Sequence, residues 1–383
     1  MIYKRVNLGI TLNAAALLLA LLVLDLPQIG NVVITTTTSP LTLSLVIASF
    51  AIMLLSLLYK ETKVINVLNE SLSRIINNSK LMVSLLPAVI GLLPVGGGAL
   101  MSAPLVESET EKLGLKEDKK TYVNLWFRHT IFPVYPISPV LILAATITEV
   151  TLTSLILRQI PVVISMVIVG YIVGLRKTMK TKEKENVKAN QGSELKRFGI
   201  TFSPILATVI AVIAFGIDVS IAPFIGIAVL LIIAKPNFKT FIKPLKNWAI
   251  WGITLAAYGA FLLRNVAEAI GISQIFGSFI ANGNIDILLL LIVFPAFLSV
   301  ITGSPSGGIA ISVSILTGIV SFTPKSAALL YISSYLGYVV APTHLCLILT
   351  AEYFKCSLGK LYKYLIPSLI ASFATGILVY LLI

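Results

Sequence analysis

Two short interruptions inside one long apolar stretch, Phe294 to Phe354, constrain this chain more than any other feature. They are Thr302-Gly-Ser-Pro-Ser-Gly-Gly308 and Ala341-Pro-Thr-His-Leu-Cys-Leu347. No charged residue occurs from Ile287 to Pro324, and from Ser326 to Ala351 the only ionisable groups besides tyrosines are His344 and Cys346. Apolar runs of that length read as membrane-spanning helices, which need about 20 residues. Neither interruption can continue as regular helix, because Pro removes a donor and clashes with the preceding turn while Gly weakens it. In hydrocarbon the freed backbone groups must be satisfied by protein, water or a ligand. Broken helices at membrane depth therefore mark a candidate binding site.

The rest of the chain supports that setting. It is 57% hydrophobic and 12% charged, where soluble domains carry about 25% charged residues. The fold class is all-α, a polytopic membrane protein, and the period-2 alternation of an outer-membrane barrel is absent. About 11 spans are expected, near 6–25, 41–59, 81–94, 121–147, 154–175, 200–216, 219–234, 247–263, 285–301, 326–351 and 361–382. The net charge of +13 sits in loops between spans. It reads as the positive-inside signal, and no nucleic-acid partner is implied. The run Val6 to Leu24 after Lys4-Arg5 resembles a signal peptide but lacks a small-residue cleavage site, so it reads as the first span.

Lys63 to Lys80 places Val64, Ile65, Val67, Leu68, Leu72, Ile75 and Ile76 at helical spacing, with Glu70, Arg74 and Lys80 opposite. It reads as an amphipathic helix, lying in the membrane interface or packed on a cytoplasmic loop. Asn265 to Asn282 has a similar pattern, with Glu268 as its acidic residue.

The two halves are related. Leu93-Pro-Val-Gly-Gly-Gly-Ala-Leu-Met-Ser-Ala-Pro104 precedes a span broken at Phe132-Pro-Val-Tyr-Pro-Ile-Ser-Pro139. Gly303-Ser-Pro-Ser-Gly-Gly308 likewise precedes the span broken at Ala341-Pro-Thr-His344. With the basic loops placed inside, corresponding spans run in opposite directions. The expected domains are a first inverted repeat over 1–175, a cytoplasmic linker plus connecting span over 176–218, and a second repeat over 219–383.

A Gly-rich piece of half-span length is expected to form a re-entrant hairpin. Its tip offers backbone N–H groups and helix N-termini to an anion, while unwound carbonyls and hydroxyls can hold Na⁺. The candidates for substrate or ion binding are Gly96, Gly97, Gly98, Ser102 and Ser138 in the first half. In the second they are Ser304, Ser306, Gly307, Gly308, Thr343 and His344, with Na⁺ placed near Ser304, Ser306 and Thr343. The glycines would equally serve tight helix packing. Both histidines of the chain, His129 and His344, fall in the broken spans, and Arg128 precedes His129. An intramembrane ionisable group is a functional candidate, although a neutral, hydrogen-bonded histidine is the blander reading. Arg128 can pair with an anionic substrate, or with Glu107, Glu109, Glu111 or a lipid phosphate. Cys346 and Cys356 show no metal-ligand spacing and read as small apolar fillers. Gly96-Gly-Gly98 lacks the Lys-Ser/Thr of a P-loop, and paired intramembrane carboxylates are absent.

On Leu93 to Pro104, Gly303 to Gly308 and Ala341-Pro-Thr-His-Leu-Cys-Leu-Ile-Leu-Thr-Ala-Glu-Tyr353, the chain resembles the ion transporter superfamily, which includes dicarboxylate, citrate and gluconate permeases. It is most similar to an uncharacterised prokaryotic membrane family of that superfamily. The resemblance implies two hairpins, two broken helices, elevator-type movement and a scaffold half that forms a homodimer. Sodium-dependent members carry Ser-Asn-Thr at each hairpin tip; Gly96-Gly-Gly98 and Ser304-Pro-Ser306 stand there instead. The expected function is secondary transport of a small organic anion across the cytoplasmic membrane. No cofactor is expected beyond a coupling ion, H⁺ or Na⁺. A membrane-embedded enzyme or a channel is the alternative.

The loop charges predict residues 176–198 inside and Gly30–Ser39 outside, with the N-terminus cytoplasmic and the C-terminus external. An impermeant thiol reagent applied outside should label a cysteine introduced at position 35 and spare one at 190. The reverse pattern would overturn both the orientation and the repeat assignment.

Overall fold

The structure is a computed structural model, which describes residues 7–93, 99–176, 178, 191–271, 286–317 and 319–383. Among the described residues it is helical, with no β-strand. In chain order the helices are α1 Leu8–Val23, α2 Leu26–Thr38, α3 Pro40–Glu61, α4 Val64–Ile75, α5 Ser79–Gly91, α6 Ala99–Lys112, α7 Glu117–Arg128, α8 Pro139–Ile147 and α9 Leu152–Gly170. There follow α10 Gln191–Ile213, α11 Ala222–Ala234, α12 Phe238–Ile242, α13 Trp248–Ala269, α14 Ile287–Thr302, α15 Pro305–Leu316, α16 Pro324–Val340, α17 Leu345–Tyr353 and α18 Leu358–Leu382.

Seven segments among the described residues are long and apolar enough to cross a membrane, including the broken pairs Glu117–Ile147 and Pro324–Tyr353. The protein is a multi-pass membrane protein. The other four expected spans are α1, α5, α11 and α14, with 16, 13, 13 and 16 residues. Thirteen residues rise only about 20 Å, short of a hydrocarbon core of about 30 Å.

The helices pack as two sets. In one set, α13 lies against α1, α2 and α3, while α10 packs on α4 and α11 and α11 on α3. In the other, α5, α6 and α7 pack together, α14 packs on α15 and α16, and α18 joins α9, α7 and α16. The second set repeats one order of elements: a helical hairpin (α5–α6, then α14–α15), a broken helix (α7–α8, then α16–α17) and a single helix (α9, then α18). Contacts between the sets run through α15 on α13 and α8 on α3. At the far end of α8 a cleft of about 510 Å³ separates them, lined by Leu41, Ser44, Thr146, Val212 and Asp218 among others. Arg264 of α13 reaches Glu149 of the α8–α9 turn at 2.6 Å.

One helix was hidden in the sequence. Gly30–Ser39 reads as an external turn, yet Leu26–Thr38 is helical. Asp25 and Gln28 close a capping box at its start. The β-branched run is held because the Thr36, Thr37 and Thr38 hydroxyls donate to the carbonyls four residues back. The amphipathic helix expected over 63–80 ends at Ile75, and its apolar face lies against the protein. α4 buries Val64, Ile65, Leu68 and Leu72, packs on α10, and is tied to it by Arg74 Nη1 and Glu194 Oε1 at 3.0 Å. The pattern over 265–282 continues α13 to Ala269, and 272–282 lies outside the described residues.

Close approach of α14 and α16 depends on Gly337. A methyl added there would lie 2.5 Å from the Ala296 carbonyl oxygen and 2.7 Å from its Cα, neither of which can yield. Gly337→Ala should therefore destabilise the protein by about 1–3 kcal/mol. Thermal unfolding in detergent should show it, with Gly359→Ala, which meets nothing within 4 Å, as the control. Equal midpoints for the two variants would show that the contact carries no stability.

Candidate functional site

The first break begins where α7 ends. His129 caps the helix, and the backbone runs through a short 3-10 turn at Phe132–Val134 before Ser138 opens α8. Pro133, Pro136 and Pro139 cannot donate the backbone hydrogen bonds a continuous helix would need. The second break is shorter. Ala341 ends α16 in extended geometry, and His344 opens α17 without a side-chain cap.

Hydroxyls satisfy the carbonyls these breaks expose. Tyr335 Oη donates to the His129 carbonyl at 2.8 Å, and Tyr331 Oη makes a longer contact to that of Phe132 at 3.4 Å. Tyr362 Oη donates to the Val340 carbonyl at 2.8 Å, and Thr343 Oγ1 to that of Val300 at 3.1 Å. The last bond joins the second break to its hairpin. At the hairpin turn Gly303 takes φ +63°, and a methyl there would lie 2.8 Å from Thr343 Oγ1. Glycine is needed here on both counts.

The two breaks meet through their histidines. The rings of His129 and His344 lie edge to face with centroids 4.8 Å apart, and Tyr338 lies 4.0 Å from His344. Each Nδ1 faces a backbone carbonyl, that of Leu125 at 2.7 Å and that of Val339 at 3.2 Å. A carbonyl only accepts, so both Nδ1 atoms carry the proton and both neutral rings present Nε2 as a lone pair. Cys346, the second residue of α17, is buried beside them.

Arg128 is 2% exposed, and its Nη1 has no hydrogen-bond partner among the described residues. The acidic partners offered by the sequence are engaged elsewhere. Glu107 accepts from Tyr353, Glu109 from Ser79 and Lys112, and Glu111 from Lys120. Tyr135 Oη in the first break and His344 Nε2 in the second are also buried without partners among the described residues, as are Ser312 Oγ of α15 and Ser333 Oγ of α16. Ser138 Oγ lies near the Tyr331 hydroxyl without a hydrogen bond of good geometry. Folded proteins leave few such groups unpaired.

The expected site residues fall into three groups. Ser138, Thr343, His344, His129 and Arg128 lie at the breaks. Ser304, Ser306, Gly307 and Gly308 open α15, where Ser304 Oγ accepts from the Gly307 amide at 3.3 Å. Gly308 sits against Ser299 and Ser334, which makes it a packing residue. Gly96, Gly97 and Gly98 lie outside the described residues, while Ser102 Oγ is donated to Asn124 Oδ1 at 2.6 Å. Asn124 was not foreseen. Its amide also donates to the Ala99 carbonyl at 3.0 Å and so ties α6 to the broken helix. Tyr331, Tyr335 and Tyr338 were missed too, although their spacing of four and three marks one helix face. Cys346 is buried and free, and it lies with His129 and His344 in a His/Cys cluster that sequence spacing could not show.

Paired hairpins, paired broken helices and a buried polar centre define the class as an all-α, polytopic membrane protein. The whole chain, residues 1–383, matches the family described as "Protein of unknown function (DUF401)", and it belongs to that family. No curated protein matches its sequence. Its fold is similar to the crystal structure of the Alcanivorax borkumensis YdaH transporter, described as having an unusual topology. The two agree with a TM-score of 0.65 at 14% identity, over 98% of this chain and 96% of that one.

Tyr335→Phe would leave the buried His129 carbonyl without its donor, at a cost of about 1–3 kcal/mol. A lower thermal midpoint in detergent is expected. Tyr380→Phe, on the half-buried face of α18, should change little. An unchanged midpoint for Tyr335→Phe would mean that water replaces the hydroxyl without loss.

Proposed function

We propose that this protein is a secondary active transporter that moves a small organic anion, a carboxylate, across the cytoplasmic membrane. The observation that carries the reading is Arg128, a buried guanidinium with an unpartnered N–H at the crossing of two broken helices. An uncompensated buried charge is costly, and a carboxylate is the partner its planar fork fits. The likeness to a transporter fold supports transport as the class. The buried hydroxyls of Tyr135, Ser138, Ser312 and Ser333 would complete the carboxylate's hydrogen bonds.

The movement we infer is of the elevator type, as in the ion transporter superfamily. The set holding hairpins and breaks would slide against the set built on α3 and α13. The cleft of about 510 Å³ between them supports this, as does the glycine at 307 facing Leu8 of α1. The paired order of hairpin and broken helix supports inverted repeats over 1–175 and 219–383 with re-entrant hairpins. For coupling, we favour H⁺ over Na⁺. His344 Nε2 has no partner among the described residues and can accept a proton as substrate binds.

Uptake of labelled organic acids into liposomes tests this. Arg128→Gln should abolish uptake and Arg128→Lys should retain part of it. Because the charge meets no carboxylate among the described residues, Arg128→Gln should raise the thermal midpoint by a few degrees. An inward proton gradient in Na⁺-free buffer should drive accumulation, and His344→Gln should keep exchange while losing accumulation. Full uptake by Arg128→Gln would overturn the anion site, and strict Na⁺ dependence would overturn the coupling.

A further inference from the structure

We propose that His129, His344 and Cys346 form a binding site for one soft, monovalent metal ion, Cu(I). The three residues come from both breaks of the fold. All are buried, and a ring nitrogen of each histidine and the Cys346 sulfur lie within 4.8 Å of one another. Metal bonds of about 2.0 Å to nitrogen and about 2.3 Å to sulfur would place trigonal donors about 3.5–3.7 Å apart. Closing on an ion therefore asks the donors to approach one another by about 1 Å.

The rings are already in the form a ligand needs. A metal-bound histidine characteristically donates its second ring N–H to a carbonyl or carboxylate, which fixes the tautomer and the ring plane. Both histidines do so here, through Leu125 and Val339. What they leave over is Nε2, and that of His344 is buried without any partner. Tyr338, whose tilted ring has its centroid 4.0 Å from that of His344, limits how far the imidazole can swing.

Donor type and charge then select the ion. Two imidazoles and a thiolate are soft donors, which suit copper and zinc and discriminate against Na⁺, Mg²⁺ or Ca²⁺. Cys346 gives up its proton to solvent as the metal–sulfur bond forms. With Cu(I) the complex is then neutral. A divalent ion would leave it with a net positive charge beside Arg128, which follows Phe127 into the same buried centre and contacts no carboxylate among the described residues. Low-dielectric surroundings make that difference count. Cu(I) and a proton would compete for the lone pair of His344 Nε2, and metal binding is read without transport.

The test uses the full-length protein purified in detergent under anaerobic conditions, with Cu(I) supplied in competition with a chromogenic chelator. One Cu(I) per chain is expected, with an X-ray absorption signature of two nitrogens and one sulfur. Cys346→Ser and His129→Gln should each weaken binding about tenfold or more, whereas Cys356→Ser should bind like the parent protein. Cys346→Ser is close to isosteric, so it decides the matter if the histidine variant does not fold. Failure to compete with the chelator would overturn the site. So would binding lost in Cys356→Ser but kept in Cys346→Ser. Tighter binding of Co²⁺ than of Cu(I) at the same residues would overturn the charge argument.

Discussion

Backbone that cannot be helical, set in surroundings that cannot supply water, is the constraint on which this structure depends. Four prolines in the two breaks, Pro133, Pro136, Pro139 and Pro342, end the hydrogen-bond ladder. Every carbonyl they release needs a donor from elsewhere in the protein. The answer is a set of hydroxyls: Tyr331 and Tyr335 reach across to the first break, while Tyr362 and Thr343 serve the second break and its hairpin. Those donors fix where α16, α18 and the hairpin must stand. The packing of the second helix set follows from satisfying the backbone, and the polar centre exists because the backbone is broken there.

Much of the fold was legible because its causes are local. Span length, Pro and Gly punctuation and the amphipathic spacing of 63–80 can each be counted in the sequence. α2 escaped because its helix rests on a capping box and on threonine hydroxyls bonding backward, against the β-branched propensity of Thr35–Thr38. α5 and α14 are as apolar as spans but shorter, because hydropathy does not register where a helix stops.

The site was legible in part for a similar reason. His129, His344, Arg128 and the Ser/Gly tips stand out as polar or flexible groups in apolar runs. Their mutual arrangement does not. That Cys346 meets His129, or that Glu107, Glu109 and Glu111 all leave Arg128 alone, depends on contacts between residues far apart in sequence. Asn124 shows the same limit. An amide was sought at the hairpin tips, and one occurs on the neighbouring helix, holding Ser102 and Ala99.

One helix, α16, ends in its own break and also holds the carbonyls of the other through Tyr331 and Tyr335. The two breaks are therefore not independent compartments. On the proposed reading, an occupant that shifted α16 at one of them would change the affinity at the other, and by reciprocity the second occupant would act on the first by the same factor. Such cooperation would need no path through the rest of the molecule. It would follow from one helix serving both breaks.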